Sequence, residues 1–316
     1  MTERKQNHLL GFILSLIAAV MWGVLPIALK ELLLGMDAST IVWFRFVVAG
    51  LILFLWLVYR RELPRTSSMT GVTKVLLLIA ALGLSSNYYL FSDSLNYVNG
   101  ETSEAVIQLT TLFLILGGVL FYKEPFVKVQ KFGVILIVGG LLLFFHDRLA
   151  LFADFESDQT VGVMLVFFAA ITWTVYSLLQ KKLLENLSSP QILFLIYTFS
   201  AMVLLPFTSI TSVTNLTAVE FLLLAFCCMN TLVAYGCFTE ALNRWDASKV
   251  SAVLALAPLF TIGGLNLITR FDPSYAFTDR LGLLSILGAV LLVVGSILTA
   301  LMPIFIARAA KQNFDG

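Results

Sequence analysis

The chain has 316 residues, of which 59% are apolar and only 12% are Asp, Glu, Lys or Arg, whereas an ordinary soluble domain carries about 25% charged residues. So little charge excludes a soluble globular protein, and the 26 Phe, 9 Tyr and 5 Trp run along the whole chain, which makes the bilayer its natural solvent. A net charge of +1, from 20 cations and 19 anions, gives no basis for a nucleic-acid partner.

A spanning helix needs about 20 apolar residues. Ten such runs are predicted near 9–29, 38–59, 74–94, 102–122, 128–146, 161–180, 190–210, 217–241, 247–269 and 281–303. The first follows the polar start MTERKQNH and lacks a small-x-small cleavage site, so it reads as a span and not as a secretory signal. The joints are too short to house a soluble catalytic domain, so function is expected within the membrane. With the N-terminus inside, fifteen of the twenty Lys and Arg fall in inner segments and four in outer ones, with Arg45 buried. Both termini are therefore expected to be cytoplasmic, in a plasma membrane, the inner one in a bacterium.

Taken in chain order, the first span offers Trp22 and Pro26. The second holds Arg45 roughly 12 Å from the outer boundary at 1.5 Å per residue, where a charge costs about 3 kcal/mol on insertion scales. Asp93 at the outer end of the third span or Glu104 at the start of the fourth is its expected partner, beside an outward gate. The plainer alternative is a structural pin or a side chain snorkelling outward. Asn87 and Tyr88 sit in the third span. Glu104, Gln108 and Thr111, at i, i+4 and i+7 of the fourth, share one face with Ser103 beside it. Glu124-Pro125 and Asp272-Pro273 read as helix starts. The sixth span lines up Trp173, Tyr176 and Gln180, and the eighth holds Asn230, Tyr235 and Glu240. Cys227, Cys228 and Cys237 fall within that eighth span and read as packing residues, not as a disulfide framework. Trp43, Trp56 and Trp245 fit an interfacial belt.

The sequence repeats itself. At an offset of 151, Trp22 falls on Trp173; at 147, Tyr88 falls on Tyr235, Asp93 on Glu240 and Leu109 on Leu256. Each unit holds five spans, an odd number, so the second enters the membrane upside down, and such inverted repeats set a site at their interface and alternate its access. The fold class expected is an all-α membrane protein of ten helices. Two inverted five-helix repeats, residues 1–147 and 148–316, enclose a central cavity. Its predicted lining is Trp22, Asn87, Tyr88, Gln108, Thr111, Trp173, Tyr176, Asn230 and Tyr235. Aromatic walls with uncharged hydrogen-bonding groups suit a small amphipathic solute, although the same rings could be belt residues and the amides helix glue. Arg45, Asp93, Glu104 and Glu240 are the candidates for gating or coupling. Asp93 and Glu240 suit proton coupling, and equally a place at the interface.

Trp22-Gly23, Arg45-Phe46, SLNYVNGETSEAV, Lys123-Glu124-Pro125, the Gly133 to Gly140 and Gly288 to Gly295 spacings and ALNRWDASKVSAVLALAPLF together resemble the drug/metabolite transporters of the EamA type. The resemblance covers nearly the whole chain. It implies a basket of ten helices, with spans 5 and 10 peripheral, and an exporter of amino acids, metabolites or drugs, monomeric or homodimeric. The other classes weighed are a channel or membrane sensor, which would need a charge ring or carbonyl filter, and a multi-span enzyme, which would need convergent catalytic groups. Neither pattern is present, and no cofactor or metal motif is found.

Overall fold

The computed structural model describes residues 8–123, 126–149, 154, 156–244 and 247–312. Glu124-Pro125 and Trp245 lie outside the described residues. Twelve α-helices form ten passages, with no strand among the described residues. They are α1 (His8–Leu32), α2 (Ala38–Arg60), α3 (Gly71–Ser94), α4 (Gly100–Ile107) with α5 (Leu109–Tyr122), α6 (Lys128–Phe144), α7 (Asp158–Leu183), α8 (Ser189–Leu204), α9 (Ala218–Arg244), α10 (Ala247–Leu254) with α11 (Ala257–Phe271), and α12 (Leu283–Gln312). Eight passages are long and apolar enough to cross a bilayer, and Leu283–Thr299 is a shorter apolar one. The protein is a multi-pass, all-helical membrane protein.

Short polar joints start the helices. Asp37 caps α2, its carboxylate accepting from Thr40 N at 2.9 Å and Thr40 Oγ1 at 2.8 Å. Thr70 caps α3 and Ser157 caps α7 through their hydroxyls. Each cap satisfies a backbone N–H that would otherwise lack a partner. At the C-terminal end of α2, Arg61 takes a left-handed φ of 55° and returns two backbone bonds to the last turn.

The main helix pairs join the two halves of the chain: α1 with α9, α3 with α7, α2 with α8, α6 with α12, α1 with α11 and α5 with α7. Exchanging every passage for the one five places away turns α1–α9 into α7–α3 and α1–α11 into α7–α5. The α2–α8 and α6–α12 pairs map onto themselves. The packing thus has the two-fold character of the sequence repeat. The α6–α12 pair shows how close the approach is. A Cβ on Gly140 would lie 2.8 Å from the Gly288 carbonyl, and one on Gly295 would lie 2.7 Å from the Gly133 carbonyl. Only small residues let helix backbones meet this closely in lipid.

Two passages are broken at matched points. The fourth breaks at Gln108 and the ninth at Ala255-Leu256, and Gln108 falls on Ala255 at the offset of 147. Tight i to i+3 bonds bridge both, Thr111 N to Gln108 O at 3.0 Å and Leu259 N to Leu256 O at 2.9 Å. In the ninth the cause is Pro258, which has no N–H and would clash with the preceding turn. The breaks touch: Gln108 Nε2 donates to the Ala255 carbonyl at 3.2 Å, and Ser296 Oγ of α12 donates to Gln108 Oε1 at 3.3 Å.

Candidate functional site

The residues expected to line a cavity gather at the centre of the bundle. Tyr88, Tyr176, Tyr197 and Tyr235 share one buried cluster with Phe46, and Trp22 and Trp173 pack against it half-buried. Trp22 meets the Tyr235 ring edge-on at 5.3 Å, Tyr88 stacks on Tyr235 at 6.1 Å, and Phe46 lies 4.8 Å from Tyr88 and 5.3 Å from Tyr197. Here the rings expected to line a cavity pack against one another between the halves.

Arg45 enters this cluster from α2 and is 3% exposed. Its Nε donates to Thr231 Oγ1 of α9 at 3.0 Å, and its guanidinium stands 4.5 Å from the Tyr88 ring centroid. Thr231 donates its own proton to the Cys227 carbonyl at 3.1 Å, which leaves its lone pairs to the arginine. Among the described residues no carboxylate lies within 4.0 Å of Arg45. The expected pair with Asp93 or Glu104 is therefore corrected. The Asp93 carboxylate lies at a surface groove and accepts from Asn96 Nδ2 at 2.9 Å. The Glu104 side chain is 5% exposed on α4, with no hydrogen bond or ion pair among the described residues. A desolvated cation–π contact of about 2 kcal/mol and a charged hydrogen bond of about 1.5–3 kcal/mol together offset the roughly 3 kcal/mol of burying the arginine. That balance explains how a cation persists there without a counter-ion.

The other predicted residues take varied places. Asn87 Nδ2 donates to the Ala169 carbonyl of α7 at 2.9 Å, and Asn230 Nδ2 donates to the Met21 carbonyl of α1. The two amides thus hold α3 to α7 and α9 to α1, the pairs related by the repeat. Thr111 is half-buried one turn beyond the break in the fourth passage. Glu240 lies near the end of α9 and accepts from Arg244 Nε at 2.6 Å, an i,i+4 pair with both side chains well exposed. Two surface hollows are also present. One, of about 560 Å³, is lined by Asp37, Tyr89, Asp93, Asn96 and Ser212; the other, of about 280 Å³ at the far end of α2, is lined by Arg65, Thr70, Thr73, Asn186 and Gln191.

Sequence reasoning missed two features. Tyr197 is completely buried in the central cluster. Its signal was available, since it falls on Phe46 at the offset of 151. The second feature is a polar seal where the joint before α12 folds over the start of α4. Glu101 Oε1 accepts from Thr278 Oγ1 at 2.6 Å and Asp279 N at 3.3 Å, while Asp279 accepts from Thr102 Oγ1 at 2.7 Å and Asn99 Nδ2 at 3.1 Å. Arg148 Nη1 pairs with Asp279 at 3.5 Å. Beside it Lys30 Nζ donates to the Leu95 and Val98 carbonyls. Glu101 and Asp279 are 178 positions apart, so no local spacing could join them.

Comparison with known proteins places this architecture. The EamA-like transporter family matches residues 9–146 and again 160–301. An uncharacterized transporter of Haemophilus influenzae is 41% identical over 94% of this chain and 96% of its own. The uncharacterized inner membrane transporter YhbE of Escherichia coli is 36% identical over 94% and 93%. A more distant relative, named a probable amino-acid metabolite efflux pump of Escherichia coli, is 23% identical over 90% and 92%. One crystal structure shares the fold with a TM-score of 0.64 and 14% identity, covering 92% of this chain and 97% of that one. Two family matches, one in each half, and relatives aligned from end to end give a single conclusion: the chain belongs to the EamA-like transporter family.

Proposed function

We propose that the protein is a secondary, alternating-access transporter that exports small amphipathic metabolites, with amino acids and drug-like solutes as the substrate class. The observation that carries this reading is the set of helix pairs that join the two halves and map onto one another when the halves are exchanged. A bundle built this way can exchange the conformations of its halves, and with them the side on which its centre is open. Residues 1–147 and 148–316 are the two units, inverted in the membrane, with both termini in the cytoplasm. The distant efflux-pump relative supports the substrate class and the outward direction.

Glu104 is the residue proposed to couple transport to protons. It is a buried carboxyl beside the break in the fourth passage, with no hydrogen bond or ion pair among the described residues, and intramembrane acids of this kind form proton relays. Solute counterflow in proteoliposomes tests the carrier: the reading requires saturable uptake accelerated by solute on the opposite side. An imposed pH gradient then tests the coupling. Glu104→Gln is expected to abolish stimulation by the gradient while counterflow persists, and equal stimulation of variant and parent would remove Glu104 from the proposal.

A further inference from the structure

Arg45 is a cation buried between the two halves, and among the described residues no carboxylate lies within 4.0 Å of it. Its Nε is used by Thr231 and its face by the Tyr88 ring, but its two terminal nitrogens make no hydrogen bond among the described residues. In the cluster that holds Tyr88, the hydroxyls of Tyr88, Tyr176 and Tyr197 are buried and lack a hydrogen bond of normal geometry among the described residues, although those of Tyr197, Tyr235 and Thr231 lie beside Tyr88's. Buried polar groups without partners are rare in folded proteins, and each asks for an explanation. Three such hydroxyls in one cluster, packed with a guanidinium whose terminal nitrogens make no hydrogen bond among the described residues, share one: an anionic acceptor as their natural partner. Neutral tyrosine hydroxyls and a guanidinium are all donors toward an anion.

We propose that Arg45 and the tyrosine hydroxyls clustered with Tyr88 form the binding site for an anionic head group on the transported solute, a carboxylate borne on an aliphatic or aromatic body. This inference rests on the carrier reading above and names the chemistry that its central site selects. Charge balance favours a carboxylate over a phosphate. One guanidinium neutralises one unit of charge, whereas a doubly charged phosphate would leave a net negative charge buried, and Lys30 and Arg148 are engaged at the seal. A guanidinium also matches the two oxygens of a carboxylate with two parallel N–H donors. The body of the solute would lie against Phe46 and Trp22, which flank the tyrosines. The site is single despite the repeat, because the position matched to Arg45 at the offset of 151 is Ile196, fully buried and apolar.

The test compares acids with their own amides on the purified full-length chain. Leucine against leucinamide, and phenylacetate against phenylacetamide, keep the body and remove only the carboxylate. Any ligand of the folded state raises the unfolding temperature by mass action, so the acids are expected to raise it and the amides to leave it unchanged. Arg45→Lys keeps the charge but loses the fork, and is expected to weaken apparent affinity for the acids about tenfold or more, the loss of one charge-assisted hydrogen bond. Arg45→Gln should remove the effect. Tyr197→Phe deletes one hydroxyl with the ring retained, so it reports on the site even where an Arg45 variant does not fold, and it too is expected to weaken the acids selectively. Amides that stabilise as well as acids, acids that stabilise Arg45→Gln fully, or acids that stabilise nothing would each overturn the proposal. Counterflow separates it from the carrier reading. Saturable exchange of amides but not acids removes the anion site and keeps the carrier, while acid-specific stabilisation without exchange of any probe does the reverse.

Discussion

At the scale of single residues, Asp37 shows how much of the chain's sparse charge serves local structure. Its carboxyl is pushed up by partial burial, but hydrogen bonds from Ser39 and Thr40 outweigh this and hold it below the ordinary carboxylate range. A lowered folded value means the cap contributes stability above the unfolded pKa of about 3.9 and loses it as pH falls through the folded value. Asp37→Ala is expected to cost about 1 kcal/mol at neutral pH, as an N-cap does. In thermal unfolding the gap between variant and parent should close as the pH is taken below about 4, and a gap independent of pH would remove the carboxylate from the account. Arg45 is the instructive contrast. Its burial was legible from the sequence, because a place in the middle of an apolar span follows from counting residues. Its partner was not, because spacing lists the acids at similar depth but does not say toward which neighbouring helix the side chain turns. It turns toward α9 and Thr231, away from both candidate acids.

At the scale of elements, the ten passages were readable because a bilayer imposes one length and one composition on each, and the helices start within a few residues of the predicted positions. Their pairing was partly readable through the repeat, which matches positions across the two halves but does not say which helices touch. The α6–α12 contact depends on glycines at both of its crossings. Gly288→Val would drive a side chain into the Gly140 carbonyl, 2.7 Å from the added Cβ, and overpacking of this kind typically costs about 1–3 kcal/mol. The expected outcome is a lowered unfolding temperature for Gly288→Val and an unchanged one for Gly263→Val, since nothing lies within 4 Å of a Cβ there. Equal losses at both positions would point to helix propensity and not to the crossing. The break at Gln108 was invisible in advance, having neither proline nor glycine at it, whereas its matched break has Pro258 beside it.

At the scale of the whole molecule, the seal formed by Glu101, Thr102, Arg148, Thr278 and Asp279 ties the last joint of the second half to the fourth passage of the first. Asp279→Ala would leave the Thr102 hydroxyl, the Asn99 amide and the Arg148 guanidinium without their shared acceptor. Loosening this end is expected to increase labelling of Cys227 and Cys228, now buried, by a membrane-impermeant maleimide added outside cells. Labelling no faster than in the parent would show that the seal does not control access to the centre. This network lay beyond sequence reasoning because its members come from joints, whose paths are set by the helices they connect and not by any periodicity of their own.

The helix pairing has a consequence for how the chain is made. Its principal contacts join a helix of the first half to one of the second, and α12, the partner of α6, is synthesised more than 130 residues after it. At about 5–20 residues per second, the first five passages wait on the order of ten seconds in the bilayer for the surfaces that cover them. During that interval Arg45 has no Thr231 and the glycine face of α6 has no α12, so the first half is expected to be a substrate for membrane proteases. Expressed alone, residues 1–147 are expected to be degraded. Co-expressed with residues 148–316 they should persist and co-purify. Biogenesis of this transporter is thus an assembly reaction between two inserted halves that share one covalent chain.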